Sequence, residues 1–203
     1  MKKEINKNLP NYLTIGRIVL TLIIITIMLF PFDMINVSFP KYLVNDSIII
    51  DVKLVICSLL FVIASITDFF DGRLARKYNL VSDFGKIMDA IADKVLINGM
   101  LIVLCGQGYI SPIIPVIIVI RDIVVNTIKM VAGEHGDVVG AIVTGKFKTA
   151  FLMIGITLKL IGNYPLGLFN IALDDFCLVT ATILAVLSAF EYFKLYKKYF
   201  ILN

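Results

Sequence analysis

Six apolar stretches, each near the length a helix needs to cross a bilayer, dominate this chain: roughly Tyr12–Phe32, Ile48–Ala75, Ser82–Cys105, Ile110–Ala132, Val138–Ile161 and Asp175–Tyr196. About 20 apolar residues in a helix cover a hydrocarbon core. The stretches are long and do not alternate, which selects helices over a β-barrel, and in lipid only those two satisfy every backbone polar group. Composition leaves little other choice. Of 203 residues, 59% are hydrophobic and 17% charged, with a mean hydropathy of +0.94, whereas soluble domains sit near about 45–50% apolar. The expectation is an all-α polytopic membrane protein with six transmembrane helices in one bundle. Residues 1–203 then form a single domain, and short connections make consecutive helices antiparallel neighbours.

The net charge of +4 does not indicate nucleic acid, because the cations flank apolar stretches, as topology signals and anionic-lipid contacts do. Lys2, Lys3, Lys7, Arg73, Arg76, Lys77, Lys146, Lys148, Lys194, Lys197 and Lys198 fall on one side, whereas Lys41 and Lys53 against Asp33, Asp46 and Asp51, and then Asp174 and Asp175, fall on the other. The positive-inside rule makes the first side cytosolic, with both termini there and the protein in the cytoplasmic membrane. Residues 1–11, with Ile5 and Leu9 among lysines, form either a short interfacial helix or a frayed polar tail. No small-x-small cleavage pattern follows Phe32, so the first stretch reads as a retained helix. Cys57, Cys105 and Cys177 lie far apart and read as small hydrophobes. His135 reads as a solvated loop residue, and Lys159 as a side chain reaching for the interface.

Several charges fall inside the apolar stretches: Asp68, Asp71, Asp89, Asp93, Lys94, Arg121 and Asp122. Such a charge costs about 3 kcal/mol or more at the bilayer centre, so it must pair or line a wet cavity. Asp68 and Asp71 are three apart and Asp89 and Asp93 four apart, so each pair shares a helix face. In an antiparallel hairpin turning near Leu80, Asp71 matches Asp89 in depth and Asp68 matches Asp93. Four carboxylates converging in low dielectric need protons or cations, and hard oxygen donors select magnesium, manganese or calcium. The competing reading is a set of salt bridges from Asp68 or Asp71 to Arg73, Arg76 or Lys94. Gly72, Ala75 and Gly85 among the carboxylates either bring the helices close or leave space for a flat ligand such as a nucleotide.

Read together, the stretch is Asp68-x2-Asp71-Gly72-x2-Ala75-Arg76-x8-Gly85-x3-Asp89-x3-Asp93, eight fixed residues over 26 positions. It resembles, at every fixed position and gap, the signature of the CDP-alcohol phosphotransferase family. Asn8-Leu9-Pro10-Asn11-Tyr12-Leu13-Thr14 with Arg17, Asp83-Phe84-Gly85, Ala92-Asp93-Lys94-Val95-Leu96 and Gly145-Lys146-Phe147-Lys148-Thr149 are similar to the branch of that family that uses glycerol 3-phosphate. Arg121-Asp122 stands where that branch has Arg-Glu, and Lys129 where it has a second Arg; both departures keep their charge.

The resemblance implies transfer of a phosphatidyl group from CDP-diacylglycerol to an alcohol, with release of CMP. It implies two Mg2+ or Mn2+ ions on Asp68, Asp71, Asp89 and Asp93, with Asp93 as general base. It gives Gly72, Ala75, Arg76, Ser82 and Gly85 to the CDP portion, with Asn11 and Thr14 beside them, and it implies a homodimer among membrane lipids. Outside the signature, Arg121, Lys129, Lys146 and Lys148 supply four cations to one half of the bundle, which suits an acceptor that already carries a phosphate, such as glycerol 3-phosphate. Alternatively, Arg121 pairs with a nearby Asp and the lysines reach the headgroups. Two other readings remain open: an acceptor such as inositol phosphate or serine, and a channel or transporter with an acidic ion path.

Overall fold

The computed structural model describes residues 9–44, 48–77, 83–137 and 139–199, and among them the side chains of 11–44, 48–68, 85, 87–137 and 139–199. Six long helices carry the fold: α1 (Leu9–Leu29), α2 (Val52–Lys77), α3 (Asp83–Gly106), α4 (Ile113–Glu134), α5 (Val143–Leu160) and α6 (Leu173–Tyr196). All six expected helices are present, and most of the differences lie at their ends. Ile48–Asp51, expected to open the second helix, is instead a strand, β2, paired antiparallel with β1 (Lys41–Val44) so that Lys41 faces Asp51 and Val44 faces Ile48. The β-branched run Ile48-Ile49-Ile50 favours a strand. Asp51 then starts α2 as its N-cap, because its Oδ1 accepts from the Lys53 N–H at 2.8 Å. The segment 139–142, expected to be helical, is extended, and α5 begins at Val143. Gly136 and Gly162, at φ +85° and +67°, stop α4 and α5 in the left-handed conformation that a side chain resists. Residues 1–8, the greater part of the expected interfacial segment, lie outside the described residues; Leu9–Asn11 belong to α1.

Packing closes the helices into a ring in the order α1–α2–α5–α6–α4–α3, with α3 also touching α2 and α5 across the middle. Consecutive helices are therefore not always the closest neighbours. Among the described residues, α1 packs on α2 and α3 far more extensively than those two pack on each other. The α5–α6 contact is the tightest. A Cβ at Gly155 would stand 2.9 Å from the Leu178 side chain, so only glycine admits this approach.

Each helix buries one stripe. On α1 it is Thr14, Arg17, Thr21, Ile24 and Met28, spaced alternately three and four residues apart. The apolar half of the bundle is filled by fully buried Phe61, Met100, Leu101, Leu104, Ile118, Leu152 and Ile156. Outward faces are apolar as well: Val19, Leu59, Ile102, Ile120, Ile154 and Ile183, one from each helix in turn, are all exposed. Hydroxyls on these helices donate to carbonyls one turn back, as Thr26, Thr67, Thr127, Thr157 and Thr182 do, so they need no outside partner. Among the described residues, two helical segments, Asn11–Leu29 and Leu173–Tyr199, are long and apolar enough to cross a membrane by length and composition.

Candidate active site

The second half of the same stripes is polar. Arg17 has a fully buried side chain on α1, which lies between α2 and α3. Its Nη1 donates to Asp68 Oδ1 on α2 and, at 3.1 Å, to Asp89 Oδ1 on α3. Sharing that one nitrogen brings the Asp68 and Asp89 carboxylates together. Half-buried Asp93, one turn further along α3, feels the charges of Asp68 and Arg17 on one side and of Lys148 and Asp122 on the other. It links the carboxylates to a second group.

That second group centres on Asp122 of α4. Its Oδ1 accepts from Arg121 Nη1 at 3.0 Å and from Lys148 Nζ of α5 at 2.8 Å. Arg121 also donates from Nε and Nη2 to Ser188 Oγ of α6, at 3.0 and 2.7 Å. Below it lies the Tyr192 ring, with Arg121 Cζ 5.9 Å and Lys129 Nζ 5.1 Å from its centroid. Every helix thus sends at least one polar or charged side chain into a continuous layer. Charges here are tolerable because Arg17, Asp68, Asp89, Arg121, Asp122 and Lys148 each meet an opposite charge.

Compared with expectation, Asp68, Asp89 and Asp93 are brought into one neighbourhood. Among the described residues Asp68 pairs with Arg17 and not with Lys94; the side chains of Arg73 and Arg76 lie outside them. Arg121 and Lys148 do pair with a nearby carboxylate, as one reading of the sequence allowed. Among the described residues, three of the five guanidinium N–H groups of Arg121 are engaged. Lys129 is half-buried on the Tyr192 ring, and Lys146 is exposed. Thr14 is buried on the face of α1 that carries Arg17, with Asn11 half-buried a turn earlier, and Gly85 lies in the first turn of α3. The side chains of Asp71, Gly72, Ala75, Arg76 and Ser82 lie outside the described residues; all but Ser82 are on the α2 backbone. Among the described residues, no group of three or more carboxylate, cysteine or histidine side chains forms a metal centre.

Elsewhere, Lys159 does not reach for the interface but bridges Asp174 and Asp175 at 2.8 and 2.7 Å. His135 stacks on Tyr199, ring centroids 4.6 Å apart. Sequence reading gave Arg17, Ser188 and Tyr192 no place in the site. Arg17 carried a usable signal, since it is the one charge between Leu9 and Leu29. Ser188 and Tyr192 carried none, because a serine and a tyrosine in an apolar helix are ordinary.

A family model described as CDP-alcohol phosphatidyltransferase matches residues 7–193. The chain belongs to this family and is an enzyme, a transferase. It is similar to the CDP-diacylglycerol–glycerol-3-phosphate 3-phosphatidyltransferase of Bacillus subtilis (strain 168), 40% identical over 186 residues that cover 92% of this chain and 93% of that one. It is 35% identical over 198 residues to the Rickettsia felis protein of the same name, covering 97% and 99%. The Mycoplasma pneumoniae protein of that name is 39% identical over 157 residues, covering 77% and 69%. Membership of a transferase family decides against a channel or transporter.

Proposed function

We propose that this chain transfers a phosphatidyl group from CDP-diacylglycerol to glycerol 3-phosphate, giving phosphatidylglycerophosphate and CMP. The observation that carries the reading is the two-signed layer: carboxylates Asp68 and Asp89 at one side, Arg121 and Lys148 around Asp122 at the other, and Asp93 within range of both. A negative cluster suits a donor whose pyrophosphate arrives with cations, and a positive one suits an acceptor that brings its own phosphate. The names of the relatives support the same pair of substrates.

Two Mg2+ or Mn2+ ions would be held by Asp68, Asp71, Asp89 and Asp93. What supports the reading is the chemistry of the donors: the described carboxylates offer only hard oxygens, and two of them, Asp68 and Asp89, are close enough to share the Arg17 guanidinium. Such ions, when bound, supply positive charge against the pyrophosphate as the leaving group gains its own. Asp93 takes the proton from the attacking hydroxyl. The hydroxyl oxygen bonds to the phosphatidyl phosphorus as the bond to CMP breaks, and CMP leaves with the electron pair. Gly72, Ala75, Arg76, Ser82 and Gly85, with Asn11 and Thr14, would hold the CDP portion. Arg121 and Lys148, helped by Lys129 and Lys146, would hold the acceptor phosphate. An outward-open apolar groove of about 600 Å3 between α2 and α5, lined by Val62, Ile66, Met153, Ile154 and Leu158, suits an acyl chain of the donor.

We place all six helices across the cytoplasmic membrane as one domain. The site would open to the cytosol, both termini would lie there, and a homodimer would form among the lipids. The exposed apolar faces of every helix support lipid as the surrounding solvent, because a water-soluble chain rarely exposes so much contiguous apolar surface. Incubating purified protein and CDP-diacylglycerol with magnesium and glycerol 3-phosphate, inositol phosphate or serine tests the acceptor. The expected lipid product is phosphatidylglycerophosphate alone, formed only until a chelator is added. Equal product from serine would overturn the acceptor assignment.

A further inference from the structure

We infer that Ser188 and Tyr192 of α6 are positioning residues that set selectivity for a phosphorylated acceptor by fixing the direction of the Arg121 guanidinium. The inference rests on the acceptor reading above. Ser188 is fully buried, and its own proton is committed to Ala185 O at 2.8 Å. Both lone pairs of Oγ therefore face outward, and they receive Arg121 Nε and Nη2 together. This fastens one edge of the guanidinium, while Asp122 fastens Nη1. A fork held at Nε, Nη2 and Nη1 keeps its plane and its orientation, which is what recognition of a phosphate by a planar guanidinium needs.

Tyr192, one turn beyond Ser188, acts on the other cations. Its ring lies beneath both Arg121 and Lys129, which are eight residues apart on α4. Its hydroxyl donates to Gly140 O at 3.0 Å and accepts from the Ile142 N–H at 3.2 Å. That segment leads directly into α5, whose buried Lys148 reaches Asp122. One tyrosine thereby sets both the floor under Arg121 and the start of the helix that brings Lys148. Neither residue belongs to the expected chemistry, and neither needs to touch the donor.

The test compares Michaelis constants for both substrates in Ser188→Ala, Ser188→Thr, Tyr192→Phe, Arg121→Ala and the Ser188→Ala/Arg121→Ala double variant. Thermal unfolding is measured beside each. Ser188→Ala is expected to raise the glycerol 3-phosphate KM about tenfold and leave the CDP-diacylglycerol KM within about twofold, the loss expected when a charged donor is left misaimed. Ser188→Thr, which keeps the hydroxyl, should restore most of it. Tyr192→Phe keeps the ring and loses only the staple, so a rise of about threefold is expected. In the double variant Ser188→Ala should add nothing to Arg121→Ala, because there is no guanidinium left to aim. Equal rises for both substrates, or full additivity with Arg121→Ala, would overturn the positioning role. If Arg121→Ala is itself silent on glycerol 3-phosphate, the acceptor reading fails. If Arg121→Ala is selective while Ser188→Ala and Tyr192→Phe are silent, this inference alone fails. Should Ser188→Ala not fold, Tyr192→Phe decides by the same criterion.

Discussion

Along α1 the buried face runs Thr14, Arg17 and Thr21 in one half of the bundle, then Ile24 and Met28 in the other. The same switch recurs on the remaining helices: Asp68 against Phe61 on α2, Asp93 against Met100 on α3, Lys148 against Ile156 on α5, and Ser188 against Leu178 on α6. The two halves are built by one set of helices at one spacing, yet they are held differently. In the apolar half, side chains interdigitate, and dispersion and shape do the holding. In the polar half, charges are desolvated and returned only partly by their partners, so this half adds little to stability and retains charges a core would discard. The contrast teaches that helix packing and chemistry are separable here. The apolar half sets the helix positions, and the polar half inherits them as fixed mounts for ionised groups.

The hardest test of that separation is Asp93→Asn. The change keeps shape and removes one charge from a group where Asp68 and Asp122 repel it while Lys148 and Arg17 attract it. The expected outcome is a folded protein whose thermal midpoint is unchanged or raised and which still binds CDP-diacylglycerol. Turnover should fall by more than about 10³-fold, because general base catalysis alone is worth roughly 10²–10⁴. Retention of more than about a tenth of the rate would give the proton transfer to another group, and a collapse in stability would show that the polar half also holds the fold.

The converse change is Phe61→Ala in the apolar half, where the ring is fully buried. In soluble cores such a truncation costs roughly 3–5 kcal/mol. In lipid the transfer part of that cost is weaker, so a loss of roughly 2–4 kcal/mol is expected from the cavity. The midpoint of unfolding in mild detergent should fall, while both KM values and kcat at low temperature stay within about threefold. A large, selective loss of turnover without loss of stability would break the comparison from this side.

How much of this was legible in the sequence follows from what each residue type announces. The helices were legible because about 20 apolar residues in a row admit few structures in lipid, and Asp68, Asp89 and Asp93 were legible because charges inside such a run are costly. The hairpin was missed because Ile48–Asp51 adjoins the apolar run of α2 without a break in hydropathy; its marks were the β-branched run Ile48-Ile49-Ile50 and the capping carboxylate of Asp51. The hairpin argument for the carboxylates assumed that α2 and α3 face each other, whereas α1 lies between them and brings Arg17. Helix order around a ring is a property of tertiary packing and leaves no local trace. Lys159 was misread for a related reason: its partners Asp174 and Asp175 open the next helix, beyond a turn whose geometry sequence alone does not supply.

The smallest effect lies at the rim of the polar half, where the loop after α4 is tied to the end of the chain's helical part. Asp137 Oδ2 accepts from Tyr199 Oη at 2.6 Å and faces Lys198 Nζ at 3.3 Å. The hydrogen bonds from Tyr199 and Lys198 hold the Asp137 carboxyl below the usual carboxylate range. A carboxyl whose value is lower in the folded chain than in the unfolded one favours the folded tie above the unfolded value, near about pH 4. That contribution is lost as pH falls through the lower, folded value. The tie is exposed, so salt screens it. Limited proteolysis near Tyr199 should therefore be slow at neutral pH and speed up below about pH 4. Asp137→Asn should cleave faster at neutral pH and show a flattened pH profile, and added salt should narrow the gap between the two proteins. At neutral pH the two proteins should have the same activity, since the contact joins Asp137 to Tyr199 and Lys198 at the rim. A variant with the pH profile of the wild type would show that another carboxylate carries the dependence, and a parallel loss of turnover would extend the functional half outward to the rim.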